Sequence, residues 1–174
     1  MELFEAIRGR RSVRSYRGEE VPEQDLKGIL QAAICAPSAG NLQSWEFVVI
    51  RDYSRKAALV EAAYGQDFIA EAPIVIVVCA NTARSARRYR SRGVSLYSLQ
   101  DTAAAIQNML LASYALGYGS CWVGAFDETQ AARTIQAPPE ARPVAIIPIG
   151  RPAKPPDRPS RISLEKVLHY ETFT

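Results

Sequence analysis

The fold is decided by two stretches of sequence, Arg10-Arg11-Ser12-Val13-Arg14 and Ala36-Pro37-Ser38-Ala39-Gly40-Asn41-Leu42-Gln43-Ser44-Trp45-Glu46-Phe47. The first places three guanidinium groups around one hydroxyl, a set of donors that suits a phosphate dianion. The second is a turn of small residues that leaves its backbone open to close approach and then runs directly into an apolar strand. Neither stretch is specific alone, because an arginine-rich run is most often a solvated surface and such turns commonly join a helix to a strand.

The composition is that of a globular chain. Its 174 residues are 48% hydrophobic and 22% charged, with a net charge of only +3, and they contain no low-complexity segment or internal repeat. We therefore expect a single domain over residues 1–174. Residues from about 152 to 174 are rich in proline and arginine and cannot form a core of their own, so we expect them to be a C-terminal arm.

Cysteine, histidine and terminal residues indicate the compartment and exclude some chemistry. The three cysteines Cys35, Cys79 and Cys121 are widely spaced in mostly apolar surroundings, which predicts buried thiols in a reducing, cytoplasmic environment. A single histidine, His169, cannot build a histidine-based zinc site or a Ser-His-Asp triad, and we expect no metal. The acidic N-terminal residues are not those of a secretory signal, so we expect neither export nor a membrane partner.

Hydrophobic periodicity predicts alternating helices and strands. Two short amphipathic helices open the chain, the second one starting after Pro22, and Ser54 is positioned to cap a third that Gly65 ends. A long helix from about 96 to 116 carries apolar residues on most of its faces, and Asp127 can cap the last helix. The predicted strands cover residues 47–50, 74–78, 121–123 and 144–149.

Further segments follow the landmarks of one family in order along nearly the whole chain. They are Tyr64-Gly65-Gln66, the long-helix stretch from Gln100 to Asn108, Gly124-Ala125-Phe126-Asp127 and Pro148-Ile149-Gly150-Arg151-Pro152-Ala153. With the two opening stretches, they resemble the nitroreductase family, and their order and coverage are more specific than any one motif. The resemblance implies an α+β fold: a three-layer α/β/α sandwich with a mostly antiparallel central sheet of four to five strands, and a long central helix at the interface of a homodimer.

The same resemblance implies an FMN site. Arg10, Arg11 and Ser12 would hold the ribityl phosphate with Arg161, and Arg14 would approach the N1 and C2 carbonyl edge of the ring. A permanent positive charge at that edge would raise the reduction potential of the flavin.

The remaining residues of the implied site lie around the flavin ring. Pro37, Ser38 and Ala39 would come from the other subunit, with Asn41 and Gln43 shaping their turn. Val123, Gly124 and Ala125 would pass along the opposite side, and Gln66 could bond the pyrimidine edge. The implied cofactor-binding set is completed by Gly150 and Arg151.

By resemblance, the activity is transfer of hydride from NADH or NADPH, through flavin N5, to a small conjugated acceptor such as a nitroaromatic or a quinone. Ping-pong kinetics would follow, with no catalytic side chain. Alternatives within the same fold are a reductive dehalogenase and a flavin-fragmenting enzyme. Another alternative is a non-enzymatic protein that binds flavin or senses redox state.

One basic segment stands apart from these motifs. Residues 84–92 carry five arginines interleaved with Tyr89, and Tyr97 follows shortly after. Such residue types suit single-stranded nucleic acid, a solvated surface, or a basic cover that attracts the phosphates of a nicotinamide cofactor. We expect no nucleic-acid partner.

Overall fold

The computed structural model describes residues 1–154 and 156–173, and its framework is an antiparallel sheet in the order β1-β2-β4-β3. The strands are β1 (Trp45–Ile50), β2 (Ile74–Asn81), β3 (Gly119–Ser120) and β4 (Ala141–Gly150). Every pair of neighbours is antiparallel. The expected antiparallel sheet of four to five strands is therefore confirmed.

Strand β2 buries both of its faces and so divides the molecule into layers. Ile74, Ile76 and Val78 pack into one apolar cluster, while Val75 and Val77 pack into the other. Because side chains alternate across a strand, a continuous β-branched run is the pattern that covers both sides of a sheet. The strand extends to Asn81, three residues beyond its predicted end.

Helices cover both faces of this sheet. They are α1 (Leu3–Gly9), α2 (Glu23–Ile34), α3 (Tyr53–Ala62), α4 (Phe68–Glu71), α5 (Thr82–Arg92), α6 (Ser98–Ala115) and α7 (Glu128–Ile135). Helices α2 and α6 supply Leu26, Ile29 and Met109 to one cluster, whereas α3 and α4 supply Leu59 and Ile69 to the other. The expected three-layer arrangement is confirmed, and α6 is the predicted long helix.

Two local expectations were wrong. Helix α3 is capped by Asp52, whose carboxylate accepts from the Arg55 amide at 2.9 Å, and the hydroxyl of Ser54 bonds to that same carboxylate. The predicted strand at 121–123 is not continuous. Strand β3 ends at Ser120, and Val123 then forms an isolated bridge with Ile146. The interruption lies opposite Pro148, which has no N–H to continue the ladder.

The described residues of the C-terminal arm make no core of their own. Every described residue from 156 to 173 is exposed, including the apolar side chains Ile162, Leu164 and Phe173. Helix α1 likewise exposes Leu3 and Phe4. Within the described ranges, no helix has the length and apolar character required to cross a membrane.

We predict that Gly150→Ala lowers the free energy of unfolding by about 1–3 kcal/mol, because the added methyl group would overpack the core. Gly150 pairs with Gly119 at the end of β4, and a Cβ added to Gly150 would lie 2.5 Å from Cδ of Pro73, the residue before β2. Urea unfolding at fixed protein concentration measures the change. Gly28→Ala is the matched control: nothing lies within 4 Å of its Cβ position on α2, so the better helix former should leave stability equal or higher. Equal losses in both variants would contradict the explanation.

Candidate functional site

The segment from Arg10 to Arg14 leaves α1 and attaches to the edge of the sheet. The Val13 amide donates to the Ser120 carbonyl at 3.0 Å, and Ser12 forms a parallel bridge with Ser120. Val13 is buried, whereas Arg14 is exposed and Ser12 is partly so. Because extended residues alternate in direction, anchoring Val13 in the core turns Ser12 and Arg14 outward.

These outward side chains line a cavity of about 460 Å³, the arginine cavity. Its lining includes four arginines and one serine but a single acidic residue, Asp157. Arg161 reaches the cavity from the C-terminal arm. The complete lining is Arg10, Arg11, Ser12, Arg14, Pro156, Asp157, Pro159 and Arg161. The structure thus brings together the four residues expected at the phosphate and Arg14, whereas Gln66, also expected at the pyrimidine edge, does not line this cavity.

Positive charges lie close together in this cavity. The pKa of Arg10 is lowered, first by burial and then by the neighbouring charges of Arg161 and Arg11. The Arg11 guanidinium is held by the carbonyls of Arg8 and Arg10 at 2.7 and 2.8 Å, beside the C-terminus of α1. Cations held close together in this way are stabilised when a multivalent anion binds between them.

A buried thiol lies near the same segment. Cys121 is 2% exposed, and burial raises its pKa. The charge of Arg14, a hydrogen bond with Ser12 and the charge of Arg10 oppose that rise without cancelling it. Burial also raises the pKa of Cys79, to about 12. Both groups are therefore thiols at neutral pH and suit a structural role. The expectation of a buried thiol was wrong for Cys35, which is exposed.

Gln66 lies beside the strip that follows β3. Its side-chain amide donates to the carbonyls of Ala63 and Ala125, at 3.0 and 3.1 Å. Val123 is buried and exchanges both backbone hydrogen bonds with Ile146, whereas Gly124 and Ala125 are exposed. Gln66 thus fixes an open strip of backbone at Gly124 and Ala125.

Gly150 and Arg151 lie apart from the arginine cavity. Gly150 is packed against Pro73. The Arg151 guanidinium donates to the carbonyls of Leu116 and Gly117 after α6, and it lies 4.3 Å from the ring centre of Tyr118. Arg151 therefore ties the end of α6 to the end of β4.

The turn from Pro37 to Gln43 is held by a residue that the sequence did not single out. Asp101 on α6 is 4% exposed and accepts from the Ala39 amide at 2.8 Å and the Ser44 hydroxyl at 2.5 Å. Ser38 Oγ accepts from the Gln43 amide at 2.9 Å. The signal in the sequence was that Asp101 is the one charged residue of α6.

The backbone of this turn is unusual. Gly40, Asn41 and Gln43 have φ values of 56°, 55° and 51°, in the left-handed region that costs non-glycine residues energy. The bonds to Asp101 hold that conformation in place. No residue of the turn lines the arginine cavity of its own chain, as described over residues 1–154 and 156–173.

Comparisons with known proteins agree on one family. A family model described as the nitroreductase family matches residues 7–66 and 54–151. A relative from Methanothermobacter thermautotrophicus is 35% identical over 95% of this chain and 88% of its own length. A protein named FMN reductase [NAD(P)H] from Bacillus subtilis is 29% identical over 99% of this chain and 74% of its own.

Solved structures share the fold. A crystal structure from Bacteroides thetaiotaomicron has a TM-score of 0.86 and 29% identity, covering 98% of both chains. An NADPH:FMN oxidoreductase from Vibrio harveyi, complexed with NAD+, has a TM-score of 0.91 at 22% identity and covers 99% of this chain and 78% of its own.

We predict that Asp101→Ala destabilises the protein by about 3 kcal/mol, because two hydrogen bonds to a charged group are lost and the buried Ser44 hydroxyl is left unpaired. Hydrogen exchange of the Ala39 amide should quicken in the same variant. Asp101→Asn keeps one acceptor and should show a smaller loss. Unchanged exchange at Ala39 in Asp101→Ala would contradict the anchoring role.

We also predict that Cys79 and Cys121 resist a thiol reagent at pH 8 while the protein is folded. A raised pKa keeps each sulfur protonated and therefore unreactive, and burial restricts access. Mass spectrometry of labelled peptides should show both cysteines modified only after unfolding. Rapid labelling of either one in the folded protein would refute the assignment.

Proposed function

This chain belongs to the nitroreductase family, and we propose that it is an FMN-dependent NAD(P)H oxidoreductase that reduces nitroaromatics, quinones or similar conjugated acceptors. The relatives named as FMN reductases support the cofactor and the donor. A relative from Salmonella typhimurium, named as an oxygen-insensitive NADPH nitroreductase, supports the class of acceptor.

The observation that carries the proposal is the arginine cavity. Its lining includes four arginines and Ser12 but a single acidic residue, Asp157. A phosphate monoester carries nearly two negative charges at neutral pH and accepts bidentate hydrogen bonds from guanidinium groups. The side chains present therefore fit the phosphate end of FMN, which Arg10, Arg11, Ser12 and Arg161 would hold.

The other residues of the proposed site act on the ring. When bound, FMN supplies the hydride-carrying N5 atom. Arg14 would place its charge at the pyrimidine edge and favour the reduced cofactor electrostatically. Gly124 and Ala125 would leave one backbone strip close to the ring, with Gln66 fixing that strip through the Ala125 carbonyl.

We propose no side chain as acid, base or nucleophile. Donor and acceptor would occupy the same open face in turn, which is the condition for ping-pong kinetics. Parallel double-reciprocal plots are the expected result, and intersecting plots would contradict a shared face.

We further propose a homodimer. Exposed apolar side chains on α1 and on the C-terminal arm require a cover, and a second copy of the chain would provide one. In that arrangement the Pro37–Gln43 turn of one subunit would lie on the flavin held by the arginine cavity of its partner. The three free cysteines suit a reducing, cytoplasmic location.

We predict that NADH or NADPH bleaches the flavin absorbance band of the FMN-reconstituted protein under anaerobic conditions. A nitroaromatic or a quinone should restore the band. Tight FMN binding with no bleaching would instead favour a flavin-binding or redox-sensing protein, and absence of FMN binding would contradict the assigned site.

We predict that Arg161→Gln weakens FMN binding about tenfold or more, because a hydrogen bond to a charged group is worth about 1.5–3 kcal/mol. Quenching of flavin fluorescence measures the dissociation constant. Arg133→Gln is the matched control, since Arg133 is an exposed arginine on α7 that does not line the cavity. Equal weakening by both substitutions would show a general charge effect rather than a phosphate contact.

A further inference from the structure

Helix α5 and the π-helical turn after it, Gly93–Tyr97, form the most one-sided charged segment of the chain. Residues 82–97 contain five arginines and neither aspartate nor glutamate. The proposed FMN site uses none of these arginines. Their placement therefore needs an explanation of its own.

The first arginine of the segment is structural. Arg84 forms a salt bridge with Glu46 and donates to the Gln43 carbonyl at 2.5 Å and, more weakly, to the Trp45 carbonyl at 3.4 Å. These bonds tie the start of α5 to the end of the Pro37–Gln43 turn. The charge of Arg84 is already balanced by Glu46.

The next arginines on the same side of the helix are not balanced. Arg87 and Arg88 follow Arg84 at helical spacings of three and four, so they continue its stripe by one turn. Both are exposed, and neither forms a salt bridge with any described carboxylate. A Cβ on Gly40 would lie 2.9 Å from Arg88 Nη1, which places this cation directly against the turn.

Two tyrosines support the cations. Tyr89 and Tyr97 meet edge to face, with 4.9 Å between ring centres. The guanidinium carbon of Arg88 lies 5.6 Å from the centre of the Tyr89 ring, and that of Arg92 lies 5.2 Å from Tyr97. Arg92 also donates from Nε to the Tyr97 hydroxyl at 2.9 Å, so both contacts orient its guanidinium group.

The backbone holds the two tyrosines together. Arg90 has a φ of 50° and breaks the helical geometry between them. A Cβ on Gly93 would lie 2.5 Å from the Ser85 carbonyl oxygen. The backbone at Gly93 therefore packs against the backbone at Ser85 at a distance that only glycine allows. The basic face, made of Arg87, Arg88, Arg92, Tyr89 and Tyr97, is therefore a formed surface.

We propose that this basic face binds the adenosine 2′-phosphate end of NADPH and gives the protein a preference for NADPH over NADH. The inference rests on the proposed function, in which the neighbouring Pro37–Gln43 turn borders the face where the donor reacts. NADPH differs from NADH by one phosphate group, which uncompensated guanidinium groups recognise strongly. The tyrosine rings offer a surface on which the adenine can stack.

A binding experiment tests the site without hydride transfer. Calorimetry compares adenosine 2′,5′-bisphosphate with adenosine 5′-monophosphate on the FMN-loaded protein. We expect the bisphosphate to bind at least tenfold more tightly and its affinity to fall with added salt. Arg87→Gln/Arg88→Gln should abolish most of that difference, Arg87→Lys/Arg88→Lys should retain part of it, and Arg133→Gln should leave it unchanged.

Steady-state kinetics gives the second readout. In the Arg87→Gln/Arg88→Gln variant, the KM for NADPH should rise about tenfold and that for NADH about threefold or less, with kcat little changed. Equal affinities of the wild-type protein for the two nucleotides would overturn the proposal, as would equal loss for both donors or the same loss in Arg133→Gln. Tighter binding of single-stranded oligonucleotide than of the bisphosphate would assign the face to nucleic acid instead.

The two proposals fail in different ways. If the proposed function is wrong, neither NADH nor NADPH bleaches the flavin in any variant, while the bisphosphate measurement still reports on the basic face. If only the basic face is wrong, bleaching is normal and the two donors respond equally to the substitutions.

Discussion

The structure depends on the burial of β2 and β4 on both faces of the sheet. Apolar residues such as Ile76 and Val77 point in opposite directions from adjacent positions, and helices must cover both sides to remove them from water. Because helices cover both faces, solvent-accessible functional groups lie at the edges of the sheet and in the segments that connect strands and helices. The arginine cavity accordingly forms beside the edge strand β3, and the Pro37–Gln43 turn forms just before the opposite edge strand, β1.

Buried polar contacts then set the conformation of those connections. A carboxylate at Asp101 is costly to bury unless it is bonded, and the Ala39 amide and the Ser44 hydroxyl satisfy it. The same hydrogen bonds stabilise the left-handed backbone conformation of the turn. At the opposite edge of the sheet, Arg10 shares its surroundings with Arg11 and Arg161, and burial together with these neighbouring charges lowers its pKa.

The β-branched runs predicted the strands, and the arginine motif from Arg10 to Arg14 predicted a phosphate site. The three-layer arrangement and the role of Arg161 were implied by the resemblance to the nitroreductase family. The N-cap of α3 was predicted at Ser54 but is Asp52. Both residue types suit an N-cap, and only the backbone conformation before the helix shows which of them occupies that position. The partners of Asp101 and Arg151 were not predictable, because they are set by tertiary packing between segments far apart in the chain. The left-handed φ values at Asn41 and Gln43 were likewise not predictable, because neither residue is a glycine and the tertiary contacts of the turn hold them.

The position of Arg161 on the C-terminal arm couples two equilibria. The arm buries none of its described residues against its own chain. Holding Arg161 at the cavity when an anion binds would therefore cost conformational entropy of the arm and weaken that binding. If a second subunit orders the arm beforehand, that cost falls on association instead. Ligand affinity and subunit association would then strengthen each other by the same factor, as thermodynamic reciprocity demands. Dilution of the protein would then lower its affinity for the ligand. The cellular concentration of the chain would set the fraction of subunits that carry the ligand.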